Sequence, residues 1–544
     1  MDAALAGLTL LGLVTLSGLF VRVRGMPLPL VQIGLGAIVA SLPFGPRIEL
    51  NPSVFMLLFV PPLLFSDGWR ISKREFAEHR RPILMLALGL VLLTTVGGGY
   101  AIHWLLPSLP LAAAIVLAAA LSPTDAVAVS ALTGRALPSP LAPILEGETL
   151  INDASGLTAC KFAVAAAAGS SLTPTQAVWD LAWTGIGGVA VGVAASILFR
   201  RIQSAVTLRC GASAETANLL LLIMPYAAYL LAEHIGCSGI LAVATAGLVA
   251  GRMTTIREGR PVDRLLGTDL WGMLSMVLSG IVFVLVGQQL PGMMDEVASA
   301  ADGRSPVLLA AEAVGVFLIL LTMRVGWIWT TLGVASLRNP NGLLARLPRS
   351  RATIAASLAG VRGPITLAAV LALPVSTPDG STFAARNVVI VLALGVILLS
   401  LVVAAIVLPV LAQRMPAHLA PNEALEEQEA EIALATAAIQ AAEKVCARAL
   451  RNAGDDALHA AAKHVMAACR RRIAMGHGSQ EIRATACHAA EAERSVRLTT
   501  LQAEREELYR LRALQRIGDP VLHNLLRQID LAEVALLDAA RQRS

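Results

Sequence analysis

Acidic residues lie inside two segments of this chain that are otherwise apolar enough to cross a lipid bilayer. The two segments fall between residues 121 and 161 and carry Asp125, Glu148 and Asp153, together with Lys161. A charged side chain at the centre of a membrane helix costs at least ~2.5 kcal/mol on insertion scales. Each charge therefore needs a partner, a water-filled cavity or a function, and the pattern predicts a pathway for ions or protons.

The composition places the chain among membrane proteins. It has 544 residues, of which 56% are hydrophobic and 15% are charged, and its mean hydropathy is +0.68. A soluble domain cannot hide so much apolar surface from water. The formal net charge of +5 comes from Lys and Arg residues in short loops between apolar segments, where they set topology. The sequence therefore predicts no nucleic-acid partner.

Runs of about 20 apolar residues predict thirteen membrane spans. The first segment carries no basic residue before its apolar run, so we expect it to be a retained span with its N-terminus outside. The predicted external loops then hold only Arg47, Arg304 and Arg386, whereas basic residues crowd the other loops, which places the C-terminus in the cytoplasm. The approximate spans are 3–21, 27–44, 52–67, 82–106, 110–133, 143–169, 176–199, 216–234, 238–252, 268–290, 306–336, 351–374 and 386–412.

Two of the predicted spans are interrupted near their middles. The fifth contains Ser-Pro-Thr-Asp at 122–125, and the twelfth contains Gly-Val-Arg-Gly-Pro at 360–364. Proline removes a backbone donor and clashes with the preceding turn, so each helix should break there. The two spans run in opposite directions, which predicts inverted repeats (spans 1–6 and 8–13) and a binding site at the crossing of the breaks.

The composition changes after Pro416. Residues 421–544 are rich in Ala, Glu, Arg and Gln, and none of their segments is apolar enough to span a membrane. We therefore predict a transmembrane domain over residues 1–415 and a cytosolic α-helical domain over residues 416–544. The second domain could stabilise a dimer or solubilise the chain, and the alternative is a regulatory domain.

Four polar residues of the sixth span share one broad helix face. Glu148, Thr149, Asn152 and Asp153 are separated by helical spacings of one, three and four residues. The Asp153 carboxylate can hold either a proton or a small hard cation, and Asn152, Thr149 and Thr124 offer neutral oxygens in place of water. This face predicts an ion-binding site. The alternative is that these side chains only join helices by hydrogen bonds.

The remaining membrane charges need partners. We expect Glu148 to form a structural ion pair with Arg324, although Glu148 could instead contact the ion directly. Broken helices leave positive N-termini and negative C-termini facing each other. We expect Asp125 to neutralise the N-termini and Arg362 to neutralise the C-termini. Proton carriage by Asp125 is the alternative. Lys161 is expected to reach the interface, with a part in an external ion path as its alternative.

Several other charged residues lie at span ends. There a solvated side chain at the interface is the ordinary case. This expectation applies to Asp67, Glu233, His234 and Glu312.

Four segments together resemble one transporter family. SPTDAVAVSAL, EGETLINDASGL, RVGWIWT and GVRGPITLA look like the signature segments of the monovalent cation:proton antiporter-1 family, the electroneutral sodium/proton exchangers. The resemblance covers about residues 1–415, and the tail, including EREELYRLRA, resembles that of the bacterial branch.

The resemblance implies an all-α, polytopic fold of about thirteen transmembrane helices, and a homodimer. A dimerisation domain (spans 1–3 and 7–10) would support a mobile core (spans 4–6 and 11–13) that works by elevator-like alternating access. By position, the family's ion-binding residues correspond to Asp153, Asn152, Thr149, Thr124 and Asp125, its ion pair to Glu148 and Arg324, and its crossing charge to Arg362. One departure is Ala126, where many members have proline.

The expected function is exchange of one monovalent cation, preferably Na⁺, for one H⁺ across a bacterial inner membrane, in the service of pH homeostasis. K⁺ or Li⁺ exchange on the same fold is the alternative, followed by a cation channel or a transporter-like sensor. We expect no enzyme activity and no cofactor. The only metal would be transported Na⁺ at Asp153, Thr149 and Thr124, and the partners would be lipid and a second copy of the chain.

Overall fold

The computed structural model of the chain forms two compact units, Met1–Ala420 and Pro421–Ser544. The domain boundary predicted at 415 and 416 lies outside the described residues. The structure describes residues 2–24, 28–42, 52–125, 141–167, 174–210, 214–255, 261–299, 306–338, 348–371, 373, 386–413, 423–449, 456–477, 480–516 and 519–541.

All regular elements within these ranges are helical, which confirms the predicted all-α fold. The number of spans stays a prediction. The first unit contains α1 (Asp2–Arg24), α2 (Leu28–Ser41), α3 (Pro52–Arg70), α4 (Lys73–Glu78), α5 (Arg80–Leu105), α6 (Leu111–Ala120), α7 (Leu141–Ala167), α8 (Pro174–Cys210), α9 (Ala214–His234), α10 (Gly239–Thr255), α11 (Pro261–Ser299), α12 (Pro306–Arg338), α13 (Arg349–Leu358), α14 (Pro364–Leu371) and α15 (Arg386–Gln413).

Apolar helices dominate this unit. Among the described residues, five segments are long and apolar enough to cross a membrane, and they lie in α5, α8, α11, α12 and α15. Shorter apolar stretches of 10–17 residues lie in α1, α2, α6, α9 and α10. Long apolar helices satisfy their own backbone groups, which is the condition for crossing a bilayer.

The helices pack as two groups. The scaffold group contains α1–α3 and α8–α11, and the core group contains α5–α7 and α12–α15. Glycines allow close approach in the scaffold group, since a Cβ on Gly36 of α2 would meet the backbone of Val284 on α11. Gly247 of α10 likewise lies against the backbone of Phe65 on α3. Small residues at such contacts are typical of helix packing in membranes.

Two interruptions occur within the core group. Helix α6 ends at Ala120, and residues 122–125 are non-helical, as the Ser-Pro-Thr-Asp sequence predicts. The predicted continuation beyond residue 125, including Ala126, lies outside the described residues. In the second interruption, α13 ends at Leu358 and α14 begins at Pro364, so the break falls at Gly360–Gly363. The predicted twelfth span is thus two helices.

Helix α5 contains two π-helical stretches, Met85–Gly89 and Leu93–Gly98. Widened turns leave carbonyl groups available to side chains of neighbouring helices. The Trp327 indole N–H donates to the Met85 carbonyl at 2.9 Å, and the Ser155 hydroxyl donates to the Ala87 carbonyl at 2.9 Å. Helices α12 and α7 are thereby both tied to α5.

The second unit consists of amphipathic helices that pack in sequence order: α16 (Glu423–Ala449), α17 (Asp456–His477), α18 (Gln480–Ala513) and α19 (Asp519–Arg541). Leu508 of α18 packs with Leu522 and Ile529 of α19. Arg505 donates to Asp530 at 2.8 Å and also to Glu533. Helix α19 begins at Asp519 with proline as its second residue, which suits the first turn of a helix.

Candidate ion-binding site

The two helix interruptions meet directly. The backbone N–H of Asp125 donates to the Val361 carbonyl at 2.7 Å. The Thr366 hydroxyl donates to the Pro123 carbonyl at 3.2 Å. Gly363 lies so close to the Asp125 side chain that a Cβ would overlap it. These contacts bring chain segments more than 200 residues apart in the sequence to one crossing point.

Arg362 neutralises carbonyl groups at this crossing. Its Nε donates to the Leu121 carbonyl at 3.0 Å, just after α6 ends, and its Nη1 donates to the Gly360 carbonyl at 2.6 Å, just after α13 ends. Its backbone N–H donates to Ser400 Oγ at 3.2 Å. The side chain is buried. The guanidinium group therefore lies where two helices present their negative C-terminal ends.

Helix α7 lies against the first interruption. Asn152 Nδ2 donates to the Ser122 carbonyl at 3.2 Å and to Thr124 Oγ1 at 3.3 Å. One turn further, a Cβ on Gly156 would lie 2.6 Å from Ser122 Oγ and 2.8 Å from a Pro123 ring carbon. Asn152 thus orients the broken segment. Its buried Oδ1 has no partner among the described residues and remains available as an acceptor.

A small cavity lies beside the crossing and is acidic. Its volume is about 20 Å³. About one water molecule fits in such a space, so a cation in it would have to exchange most of its hydration shell for protein oxygens. The cavity is lined by three acidic residues, four residues that carry a hydroxyl group and three others: Asp67, Asp125, Asp153, Thr124, Ser275, Ser279, Thr366, Leu63, Gly363 and Ile365.

The cavity contains three of the predicted ion-binding residues and lacks two. Thr124, Asp125 and Asp153 line it. Thr149 is buried on α7 but is not among the residues that line the cavity. Asn152 is absent from the lining and acts on Thr124 instead.

Asp67 is a cavity residue that the sequence analysis missed. We expected a solvated charge there because the predicted third span ends at residue 67. Helix α3 instead continues to Arg70, which places Asp67 within the helix and against the cavity. The signal that could have indicated it is an acidic residue two positions after an apolar run that includes Pro61 and Pro62.

Glu148 and Arg324 form a buried ion pair. Arg324 Nη1 and Nη2 donate to the two carboxylate oxygens of Glu148 at 2.6 and 3.0 Å. Arg324 also donates to the Ala356 carbonyl at 3.4 Å, which ties α12 to both α7 and α13. Gly360 leaves room for the guanidinium group. Glu148 is not among the residues that line the cavity.

Lys161 has a partner that the sequence did not predict. Its ammonium group donates to Glu233 Oε1 at 2.9 Å, and Glu233 Oε1 also accepts from the Gly239 N–H at 3.3 Å. The pair borders a cleft of about 530 Å³ between α3, α7, α9 and α14. It therefore joins the core group to the α9–α10 corner of the scaffold group.

Comparison with known proteins gives a consistent result. The model of a family described as "Sodium/hydrogen exchanger, transmembrane" matches residues 8–414. The chain is 40% identical over 542 residues to the "Uncharacterized Na(+)/H(+) exchanger YjcE" of Escherichia coli, with 96% of this chain and 97% of that protein covered. It is 39% identical over 417 residues to the "Sodium, potassium, lithium and rubidium/H(+) antiporter" of Bacillus subtilis, covering 76% of this chain and 62% of that longer protein.

A solved structure has the same fold. The sodium proton antiporter MjNhaP1 from Methanocaldococcus jannaschii superposes with a TM-score of 0.56 at 19% identity. The match covers 76% of this chain and 99% of that protein. At this identity the likeness concerns the fold alone.

Proposed function

Because the chain belongs to the sodium/hydrogen exchanger family, we propose that it exchanges one monovalent cation for one proton, with Asp153 as the carrier carboxylate. The observation that carries the proposal is the small cavity at the helix crossing, where Asp153 meets two further carboxylates and several hydroxyls. No enzymatic step is involved. A cation channel and a transporter-like sensor remain the alternatives to exchange.

Competition for one carboxylate explains the coupling. A dehydrated cation in the cavity needs an ionised Asp153, and a proton on the same group removes the charge that holds the cation. Each ligand therefore displaces the other, and the carrier is always occupied when it changes sides. Asn152 carries no proton, so the proposed cycle moves one positive charge in each direction and is electroneutral.

The substrate class is small monovalent cations. We propose Na⁺ as the main substrate and K⁺ or Li⁺ as alternatives. The Bacillus subtilis relative is named for sodium, potassium, lithium and rubidium, which supports a broad class. Carboxylate and hydroxyl oxygens suit all of these ions.

The proposed cycle is an elevator-like movement of the core group against the scaffold group within a homodimer. The separate packing of the two helix groups supports this division. The protein would lie in a bacterial inner membrane with its N-terminus outside and its second unit in the cytoplasm, and it would serve pH homeostasis. For the second unit we propose dimer stabilisation, with regulation as the alternative.

The decisive experiment compares Asp153→Asn with wild type in reconstituted vesicles. Cation-driven proton flux is measured with an acridine dye, adding the chloride salts of Na⁺, K⁺ and Li⁺ in turn. We expect no flux in Asp153→Asn, although the protein stays folded. Asp180→Asn, an exposed acid on α8, serves as the matched control and should keep wild-type flux. Flux retained by Asp153→Asn would overturn the assignment.

Electroneutrality is tested separately with a diffusion potential of either sign, at fixed ion and pH gradients. A rate that follows the potential would show that a second group titrates, and Asp125 and Asp67 are the candidates that share the cavity. Each elementary charge moved would feel about 2.3 kcal/mol per 100 mV. Flux that persists without a proton counter-gradient would favour a channel.

A further inference from the structure

We infer that Ser275 and Ser279 of α11 set the cation selectivity of the exchanger, by supplying neutral oxygens from the scaffold side of the cavity. The inference rests on the proposed function, which concerns the carrier on the core side. Both serines line the cavity, and neither carries a charge that would draw attention in the sequence.

The two serines lie on one face of α11, beside the cavity. They are four residues apart on a helix, so they lie one turn apart on the same face. Ser275 is only 4% exposed. Neither hydroxyl hydrogen-bonds to another residue in the part of the chain that the structure describes. Helix packing does not require these two hydroxyls, whereas a dehydrated cation in the cavity needs neutral oxygens.

The other neutral oxygens of the cavity are already engaged. Thr124 Oγ1 accepts from Asn152, and the Thr366 hydroxyl donates to Pro123. Both threonines belong to the core group and would move with Asp153. The two serines belong to the scaffold group, which lies across the cavity from Asp153. Their hydroxyl oxygens are the neutral oxygens of this lining that are not engaged in a described hydrogen bond.

The scaffold side is fixed at this level. Arg70 at the end of α3 donates to the Trp271 carbonyl of α11 at 3.0 Å, and the Ser66 hydroxyl lies 3.5 Å from the same oxygen. Trp271 is one turn before Ser275. Oxygen ligands on a rigid helix pair cannot move closer together around a smaller ion. Such ligands therefore discriminate between cations by the ion–oxygen distance that each cation requires.

Removing a serine hydroxyl and enlarging the serine side chain should change the ratio of KM for Na⁺ to KM for K⁺ in opposite directions. Ser275→Ala or Ser279→Ala removes an oxygen, and this loss costs most for the ions that hold water most tightly. The apparent KM for Li⁺ and Na⁺ should then rise roughly threefold to tenfold more than the KM for K⁺, as expected for loss of a contact to a charged group. Ser279→Thr keeps the oxygen and adds a methyl group, which should raise the KM for K⁺ most.

The test measures KM for the three cations in reconstituted vesicles for wild type and each variant. Cation-dependent shifts in melting temperature of the detergent-purified protein, at constant ionic strength, report relative binding without transport. The control is Ser196→Ala, a buried serine on α8 of the scaffold group that does not line the cavity, and it should leave the KM ratios unchanged.

The outcomes are distinct. Opposite changes in the ratio of KM for Na⁺ to KM for K⁺ in the Ala and Thr variants support the inference. Unchanged ratios in folded variants of both serines, with wild type active, would overturn it and leave the proposed function intact. A wild type that exchanges none of the three cations would overturn both.

Discussion

Arg324 donates to both carboxylate oxygens of Glu148 across 176 residues of sequence, at 2.6 and 3.0 Å. The two side chains are 2% and 0% exposed, so the pair is removed from water. Because neither residue lines the cavity, the pair can hold three helices together without contacting a transported ion. A bidentate guanidinium–carboxylate contact also fixes orientation, which a lysine could not do in the same way.

Breaking one side of this pair should cost more than replacing both. Glu148→Gln or Arg324→Met leaves a buried charge without its partner, at about 3–5 kcal/mol, whereas an apolar pair of similar volume can be nearly neutral. The double variant Glu148→Leu with Arg324→Met should therefore melt above either single variant in detergent. A double variant no more stable than the worse single variant would contradict the pairing.

Arg362 should tolerate no simple replacement. Arg362→Leu leaves the Leu121 and Gly360 carbonyls without their donor, at about 1–3 kcal/mol for each buried group. Arg362→Lys keeps the charge but cannot reach both oxygens with a planar fork, so it should be intermediate. Melting temperature and flux should both rank wild type above Lys and Lys above Leu. Equal stability of the Leu and Lys variants would contradict this order and show that a positive charge alone does not stabilise the crossing.

Gly363→Ala should impair cation binding more than folding. The added Cβ would overlap the Asp125 side chain and displace its carboxylate from the cavity. We expect at least about a tenfold rise in the KM for Na⁺, equivalent to about 1.4 kcal/mol. Gly326→Ala on α12 is the matched control, because its Cβ would meet no atom within 4 Å. An unchanged KM in Gly363→Ala would mean that Asp125 can move aside without effect on the ion.

The Lys161–Glu233 pair should affect rates more than stability. The two side chains are 53% and 35% exposed, and such pairs contribute only about 0.2–1 kcal/mol. If the core group moves against the scaffold group, however, this pair has to break in each cycle. Lys161→Met and Glu233→Gln should alter the transport rate by up to about fivefold, an amount that corresponds to about 1 kcal/mol.

A variant in which the two charged residues are swapped provides the control for this pair. The double variant Lys161→Glu with Glu233→Lys restores opposite charges and should return the rate toward wild type. Glu233 also accepts from the Gly239 N–H, so partial recovery is expected. A double variant slower than both single variants would show that the two residues act independently.

Charges in apolar spans were the most informative feature of the sequence. Glu148 and Arg324 could be paired from the sequence because each needs a partner in a medium that offers none. The helix breaks at Pro123 and Pro364 were equally readable, since proline acts on its own turn. Both inferences depend on the residue itself and its neighbours in the chain, and a single sequence contains that information.

The set of residues that line the cavity could not be predicted from the sequence in the same way. Asp67 looked interfacial because its depth depends on where α3 ends and on the helices that pack against it. Ser275 and Ser279 carry no charge, and serine is common in membrane helices. Thr149 shares a face with Asp153, yet that face is broad enough for one residue to line the cavity and the other to pack elsewhere. Membership of the site is decided by packing between helices that are distant in sequence.

The π-helical stretches of α5 shift the phase of this helix. A π-helical turn accommodates about one residue more than an α-helical turn, and each extra residue rotates the rest of the helix by about 100°. After both stretches, Gly99–Leu105 should therefore face a direction about 200° from that of an uninterrupted helix. A helical wheel drawn through Arg80–Leu105 as one regular α-helix would therefore assign the wrong side chains to lipid in the Gly99–Leu105 part. Relatives whose helix lacks the two π-helical turns should align with this segment only with gaps of one or two residues.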